Sequence, residues 1–316
     1  MLGLTSAPVI FVQPMKTRFV LCALTYAAAA VLTTSTIFAA ESTPKHVLFF
    51  NKSSGFEHSA IKHAPGELAA SEQVLKELGE KHNIEFTFTK DGSMFTPENL
   101  KKYDVFMFYT TGDLTTVGTD GHPAMSKEAK AMFLDAIRNG KGFVGVHSAT
   151  DTFHSPGGEK IDAARYKADG DNADPYIKMI GAEFIKHGQQ QAGHLICADK
   201  NFPGMSDVPA DFAPVEEWYS LKDFAPNMHV LLVQDTSKMH GNIYKRPNYP
   251  STWAHMYGKG RVFYTNMGHR EDVWTNPVFQ SVLMGGFDWT LRRVDANVKP
   301  NIKKVTPKAD VMPPMD

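Results

Sequence analysis

The sequence predicts an α/β protein built on a mainly parallel central sheet, with further β elements added in its second half. Three observations carry that expectation. Short apolar runs of strand length alternate with helical patterns through the first half of the chain. Each helical pattern is long enough to return the chain to a parallel neighbour. The runs also stop abruptly at polar loops, as strands of an open α/β sheet do where ligands bind.

Lys45 to Asn51, with His46-Val47-Leu48-Phe49-Phe50, reads as a buried first strand followed by the loop Ser53-Ser54-Gly55-Phe56-Glu57-His58. Pro65 suits the first turn of a helix on which Leu68, Leu75 and Leu78 recur up to Gly79. Ile84, Phe86 and Phe88 alternate with polar residues, the pattern of a half-buried strand. Val105 to Tyr109 is an unbroken apolar strand ended by Thr110-Thr111-Gly112-Asp113. Ser126 caps a helix with Ala129, Met132, Phe133, Ala136 and Ile137 on one face and Gly140 as its stop. Next comes Phe143 to Val146, with Gly142 and Gly145 leaving room for a helix or ligand to approach the backbone.

The second half is less regular. Gly157 to Asp174 reads as loop, and Pro175 to Gly181 as a helix. Leu195–Ala198 and Val230–Gln234 read as strands, while Trp253–Tyr257 and Arg261–Thr265 form a hairpin about Gly258-Lys259-Gly260. Asn276-Pro277 starts a last helix carrying Val278, Val282, Leu283, Phe287 and Leu291. The Pro- and Lys-rich stretch from Lys299 reads as a poorly ordered tail. The organisation expected is a leader over residues 1–40, one domain over 41–295 and a tail over 296–316.

Among 316 residues, 33 Lys and Arg nearly balance 34 Asp and Glu, so no strong field draws the chain to nucleic acid or anionic lipid. Met15-Lys16-Thr17-Arg18 followed by the apolar run Phe19–Leu32 and the small-residue stretch Thr33–Ala40 reads as a signal peptide cleaved near Ala39 or Ala40. Residues 1–14 read as an upstream extension. The mature protein is expected in the periplasm or outside the cell, with no stable membrane insertion. Cleavage leaves Cys197 as the one cysteine, so no intramolecular disulfide forms. In Leu195-Ile196-Cys197-Ala198 it reads as a small buried hydrophobe.

The loops after the strands collect His58, then Thr111 and Asp113, then His147 with Asp151 and His154, then His269 with Arg270. If the strands are parallel these loops share one edge of the sheet. Histidine changes charge near neutral pH, so such a gathering suits acid–base work or metal ligation. Each also has a plainer role open to it: His147 as a strand-end cap, His58, His154 and Asp151 as solvated loop groups, and Arg270 as a surface partner of Glu271 or Asp272. Glu216-Glu217-Trp218-Tyr219 adds carboxylates beside aromatics, a set that holds sugar rings or else packs a loop on the core.

No Gly-x-Gly-x-x-Gly follows the first strand, and no phosphate-cradling loop ends in Gly-Lys-Ser/Thr. Also missing are His-Glu-x-x-His, paired cysteine motifs and Gly-x-Ser-x-Gly. No cofactor is required by any motif. A divalent metal would be assembled from scattered ligands such as His147, His154 and His187.

Taken together, Gly55-Phe56-Glu57-His58, Thr110-Thr111-Gly112-Asp113, Gly142-Phe143-Val144-Gly145-Val146-His147-Ser148-Ala149-Thr150-Asp151, Ile180-Gly181-Ala182, Glu217-Trp218-Tyr219 and Gly260 to His269 resemble, in order and spacing, the ThuA-like family of trehalose utilisation. The resemblance spans roughly Lys45 to Arg292. It implies a flavodoxin-like three-layer sandwich related to class I glutamine amidotransferases, whose nucleophilic cysteine would stand where this chain has His147. Amidotransferase chemistry is therefore not expected. The chain departs from common family usage at Glu57, where an arginine is frequent, and at Tyr249-Pro250, where a His-Pro pair is frequent.

The expected function is an exported enzyme of carbohydrate metabolism acting on a glycoside or keto-sugar. His147 would be the acid or base, His58 and His269 would place the substrate, and Asp113 or Asp151 would orient an imidazole. Glu217, Trp218 and Tyr219, with His154, Thr111 and Arg270, would bind the sugar. The alternatives are a non-catalytic carbohydrate-binding protein on the same fold and a metal-dependent hydrolase.

Overall fold

The computed structural model describes residues 3, 8–13, 43–160 and 162–315. The signal-like segment from Met15 to the cleavage region at Ala39 and Ala40 lies outside them. The chain divides at Ala40, and the fold is that of the unit from Glu41 onward. Among the described residues, no helix is long and apolar enough to cross a membrane.

The first half runs β1 (Lys45–Phe50), α1 (Ala70–His82), β2 (Ile84–Thr89), α2 (Pro97–Lys102), β3 (Val105–Phe108), α3 (Lys127–Arg138) and β4 (Gly142–Val146). Then follow α4 (Pro175–Ile180), β5 (Glu183–His187), β6 (Gln191–Ala192), β7 (Leu195–Cys197), β8 (Val215–Glu216), β9 (Tyr219–Lys222) and β10 (His229–Gln234). The chain closes with β11 (Tyr249–Tyr257), β12 (Gly260–Thr265), α5 (Glu271–Trp274), α6 (Pro277–Thr290) and α7 (Ile302–Val305).

Eight strands form one sheet in the order β2-β1-β3-β4-β12-β11-β10-β7. The five from β2 to β12 are parallel, and β11, β10 and β7 continue antiparallel. The order 2-1-3-4 is that of flavodoxin-like sheets, with β12 in the fifth place. Two short antiparallel pairs, β5 with β9 and β6 with β8, complete the β structure of the described residues.

Alternation along the strands sorts the core into two layers. Val47, Phe49, Val105, Met107, Val144, Val146 and Phe263 face the side of α1 and α6, against Leu75, Leu78, Val282 and Phe287. Leu48, Phe50, Phe106, Phe108, Phe143, Val262 and Tyr264 face α2, α3 and α4, against Leu100, Phe133, Ile137 and Ile177. Both faces are covered, which is why these strands read as continuous apolar runs.

The caps follow the sequence in most places. Ser126 Oγ accepts the N–H of Ala129, Asn276 Oδ1 accepts those of Val278 and Phe279, and Gly181 ends α4 at φ 101°. The first helix differs from expectation. It starts at Ala70, not near Pro65, because Glu72 reaches back to the N–H of Ala69. It also runs through Gly79, whose missing side chain admits the carbonyl of Ile84 and the ring of Phe86, and it ends at Asn83 with φ 53°. The tail from Lys299 is not loose: α7 lies in it, Ile302 and Ala309 are buried, and Arg246 donates to the carbonyl of Ala309. Its lysines are spaced so that Ile302 and Ala309 can turn inward, which composition alone conceals.

Past their last ladder bonds the parallel strands stay zipped together. Ser54 N–H donates to Thr111 O at 2.8 Å, Gly112 N–H to Asp151 O at 2.7 Å, and Phe153 N–H to Gly112 O at 3.1 Å. The loops after β1, β3 and β4 thus leave the sheet as a bound group.

Candidate active site

Four side chains meet at the carboxyl edge of the sheet: His58 from the loop after β1, His147 at the end of β4, His269 from the loop after β12, and Glu217 between β8 and β9. One ligating atom from each lies within 4.8 Å of all the others. The imidazole rings stand edge to face, with centroids 4.9 Å apart for His58 and His147, 5.1 Å for His58 and His269, and 5.0 Å for His147 and His269.

His147 is the innermost. It is fully buried, and its φ of 44° places a non-glycine residue in the left-handed region, strain of the kind found at working sites. The main-chain carbonyl of Asn266 can only accept, so His147 Nδ1 donates to it, at 3.2 Å. Its Nε2 is then a lone pair facing His269 Nδ1 at 3.2 Å. Beyond His269, Gln190 Nε2 lies 2.9 Å from His269 Nε2, and Arg270 donates to Gln190 Oε1. The hydrogen bonds thus run in one direction, Arg270 to Gln190 to His269 to His147 to Asn266.

Burial lowers the His147 imidazole to about 4. Burial, with His147 and His269 as neighbours, puts His58 well below its ordinary value. Both rings are neutral near pH 7. Burial alone would raise Glu217, but the surrounding imidazoles outweigh it and hold this carboxyl well below the usual carboxylate range. Glu217 Oε2 lies 3.3 Å from His269 Nδ1 and 3.7 Å from His147 Nε2, and its Oε1 lies 3.2 Å from His187 Nδ1. Glu216, next to it, turns inward, accepts the N–H of Gly268 at 2.6 Å, and is pushed by burial up to about 8. It anchors the turn that delivers His269.

Above this floor opens a cleft of about 980 Å³. His58, Glu217, Tyr219 and His269 line one part of it; Asp151 and His154 line another. His154 Nε2 lies 2.8 Å from Asp151 Oδ1, and its Nδ1 lies 3.1 Å from the buried Glu183. Burial pulls His154 down, but its bonds to these two carboxylates prevail and raise it above the ordinary imidazole value. Phe56 stands at the cleft, 69% exposed, with its ring edge-on to His58 at 5.1 Å.

Several sequence-based roles need correction. Trp218 is fully buried and donates Nε1–H to Gln191 O at 3.0 Å, packed where Gly193 has no side chain, so it presents no ring to a sugar. Thr111 is buried and ties the first loop down, bonding Gly55 N–H and Phe56 O. Asp113 lines the cleft but binds Thr115 in its own turn and orients no imidazole. Asp151 does orient one, that of His154. Arg270 is paired with Asp272 and Gln190. The metal set proposed from sequence divides: His147 belongs to the cluster, His154 pairs with Asp151 and Glu183, and His187 touches Glu217 with its side chain 41% exposed. His147 itself does not line the cleft; it backs His269 and Glu217.

Comparison with known proteins agrees with the fold. The family model for ThuA, described as trehalose utilisation, matches residues 46–290. The chain belongs to the ThuA family. A putative ThuA-like protein from Bacteroides uniformis ATCC 8492 superposes with a TM-score of 0.55 at 20% identity, over 79% of this chain and 92% of that one. Another from Parabacteroides merdae ATCC 43184 gives 0.51 at 20% identity, over 81% and 92%. No curated protein matched significantly. All four cluster residues fall inside the ThuA-matched segment.

Sequence reasoning gave no role to Gln190, Asn266 or Phe56, and it grouped Glu216 with Glu217 as a carboxylate beside aromatics rather than as the anchor of a turn. Asn266 carried a usable signal, since a polar residue at the end of an apolar strand faces the loops beyond it. Glu216 and Glu217 were legible as carboxylates beside aromatics, but which of the two points inward depends on how β8 pairs with β6.

Proposed function

We propose that this ThuA-family chain is an enzyme of carbohydrate breakdown that acts on a glycoside or keto-sugar in the cleft above His58, His269 and Glu217. The observation that supports it best is the meeting of three imidazoles and an ionised carboxylate at the floor of a sugar-sized cleft, on the carboxyl edge of the sheet. Two stations in the cleft have opposite proton affinities. His58 is held neutral and its Nδ1 has no partner, while His154 is held toward its protonated form by Asp151 and Glu183. Such a pair suits taking a proton at one place and returning it at another. A ketone acidifies the neighbouring C–H, so elimination, hydration or isomerisation of a keto-sugar fits without a nucleotide. His147 acts through His269 and Glu217 as a positioning residue.

Amidotransferase-type thiol chemistry has no support here. Among the described residues the one cysteine is Cys197, on β7 at the far edge of the sheet, and burial raises its thiol. We also propose that the protein is exported by the signal-like segment from Met15, which suits work on saccharides outside the cytoplasm.

The test is to incubate the chain from Glu41 onward with native and 3-keto disaccharides and follow the sugars by NMR. Turnover that falls at least about 100-fold in Glu217→Gln and His58→Gln supports the reading. Saturable sugar binding with no turnover, or full turnover in both variants, overturns it.

A further inference from the structure

We propose that the floor of the cleft is a binding site for one divalent first-row transition-metal ion, held by His58, His147, His269 and Glu217. The inference deepens the reading of this cleft as the reaction site. It replaces proton relay among the four groups by common ligation of an ion.

The spacing is the first argument. In a tetrahedral site with bonds of about 2.0–2.1 Å, neighbouring ligand atoms stand roughly 3.3–3.4 Å apart. Here His147 Nε2 and His269 Nδ1 are 3.2 Å apart, His269 Nδ1 and Glu217 Oε2 are 3.3 Å apart, and His147 Nε2 and Glu217 Oε2 are 3.7 Å apart. These three atoms outline a face of such a tetrahedron. His58 supplies a fourth group within 4.8 Å of the others.

The surroundings are the second argument. Ligating imidazoles are commonly held by a hydrogen bond from the other ring nitrogen to a carbonyl or carboxylate. The bond from His147 Nδ1 to Asn266 O is of this kind and leaves Nε2 free to ligate. His58 is only 2% exposed, yet its Nδ1 has no hydrogen-bond partner, an unsatisfied group that a bound ligand would explain. His269 would have to carry its hydrogen on Nε2, now faced by the amide of Gln190. Gln190 is exposed, so its amide can turn by giving up the bond from Arg270 to its oxygen.

The donor set narrows the ion. Three imidazoles and one carboxylate suit zinc, manganese, iron, cobalt or nickel and do not suit calcium or magnesium, which take oxygen ligands. His58, His269 and Glu217 line the cleft, so the ion would face the substrate, and by expanding to five ligands it would take on and polarise a sugar carbonyl or hydroxyl. The other carboxylate group of the described residues, Asp169 with Glu183 and Asp223, is unlike this one. Lys222 lies against all three and supplies the positive charge.

The experiment strips the purified chain with EDTA and titrates it with Zn²⁺ and Co²⁺, following heat and the visible Co²⁺ bands. Expected are about one ion per chain, a Kd below roughly 10 µM, and a loss of at least about 10–100-fold in affinity in Glu217→Gln and His269→Ala. His194→Ala, a histidine outside the cleft, should bind like wild type. Glu217→Gln is nearly isosteric, and a thermal melt shows whether either variant is folded. No binding by the wild-type chain, or equal binding by folded Glu217→Gln, overturns the site. The two readings fail separately. Metal binding without sugar turnover removes the proposed reaction and leaves the site, while sugar turnover by a wild-type chain that binds neither ion removes the site and leaves the reaction.

Discussion

His147 Nδ1 lies 3.2 Å from the main-chain carbonyl oxygen of Asn266, and this contact fixes which face of the imidazole is bare. The carbonyl belongs to the residue just after β12 and the imidazole to the end of β4, its parallel neighbour. Sheet register therefore sets a tautomer.

That arrangement depends on a strained backbone. At φ 44°, alanine is penalised and glycine is not. His147→Ala should lose about 2–4 kcal/mol of stability, and His147→Gly should be more stable than His147→Ala by about 1 kcal/mol. Urea melts of the two variants measure the difference; equal midpoints would contradict the strain.

Aromatic roles at the cleft should separate cleanly. Phe56→Ala removes an exposed ring, so its stability should stay within about 0.5 kcal/mol of wild type while sugar affinity falls roughly tenfold. Trp218→Phe should cost about 1–3 kcal/mol through the orphaned carbonyl of Gln191 and lost packing, with little change in affinity once folded. The reverse pattern would return the sugar-binding role to Trp218.

The pair His154–Glu183 gives a pH dependence whose sign is determined. His154 is raised in the folded state, so its contribution is complete below the unfolded imidazole value and is lost as pH rises through the folded one. Glu183, raised by burial but pulled lower overall by His154, Ser155 and Lys222, contributes above the unfolded carboxylate value and loses this as pH falls through its folded one. The charges facing His154 are Asp151, Glu183 and Arg165. The melting temperature of wild type minus that of His154→Gln should therefore shrink as pH is raised from about 6 to about 9. A gap that widens would refute the assignment.

Gly145 leaves no room for a side chain. A Cβ there would sit 2.9 Å from the ring of Tyr264 and 3.0 Å from Ile180 Cδ1. Gly145→Ala should be destabilised by about 1–3 kcal/mol in thermal melts. Tyr264 also donates to the carbonyl of His147, so sugar turnover should fall with it.

Strand–helix alternation and the two-faced apolar runs made the parallel half of the fold legible, and with it the common edge for His58, His147 and His269. Less legible was everything that depends on pairing between distant short strands. β5, β6, β8 and β9 are at most five residues long, too brief for periodicity to mark. They nevertheless decide that Glu217 points to the cluster, that Glu216 points under it and that Trp218 is buried. Pro250 hid the start of β11 for a related reason. Proline is out of place inside a central strand, and here it is tolerated where β11 and β10 shift register.

The parallel half of the chain supplies His58 and His147, whereas Glu217 and His269 come only after a long excursion through the antiparallel additions. Neither half owns the cleft. Cut within the loop that begins at Gly157, the two pieces should each be inert, and any recovered turnover would have to come from their reassociation. For the same reason, exchanging one half with that of a distant relative is expected to fail unless both contributors to the floor travel together.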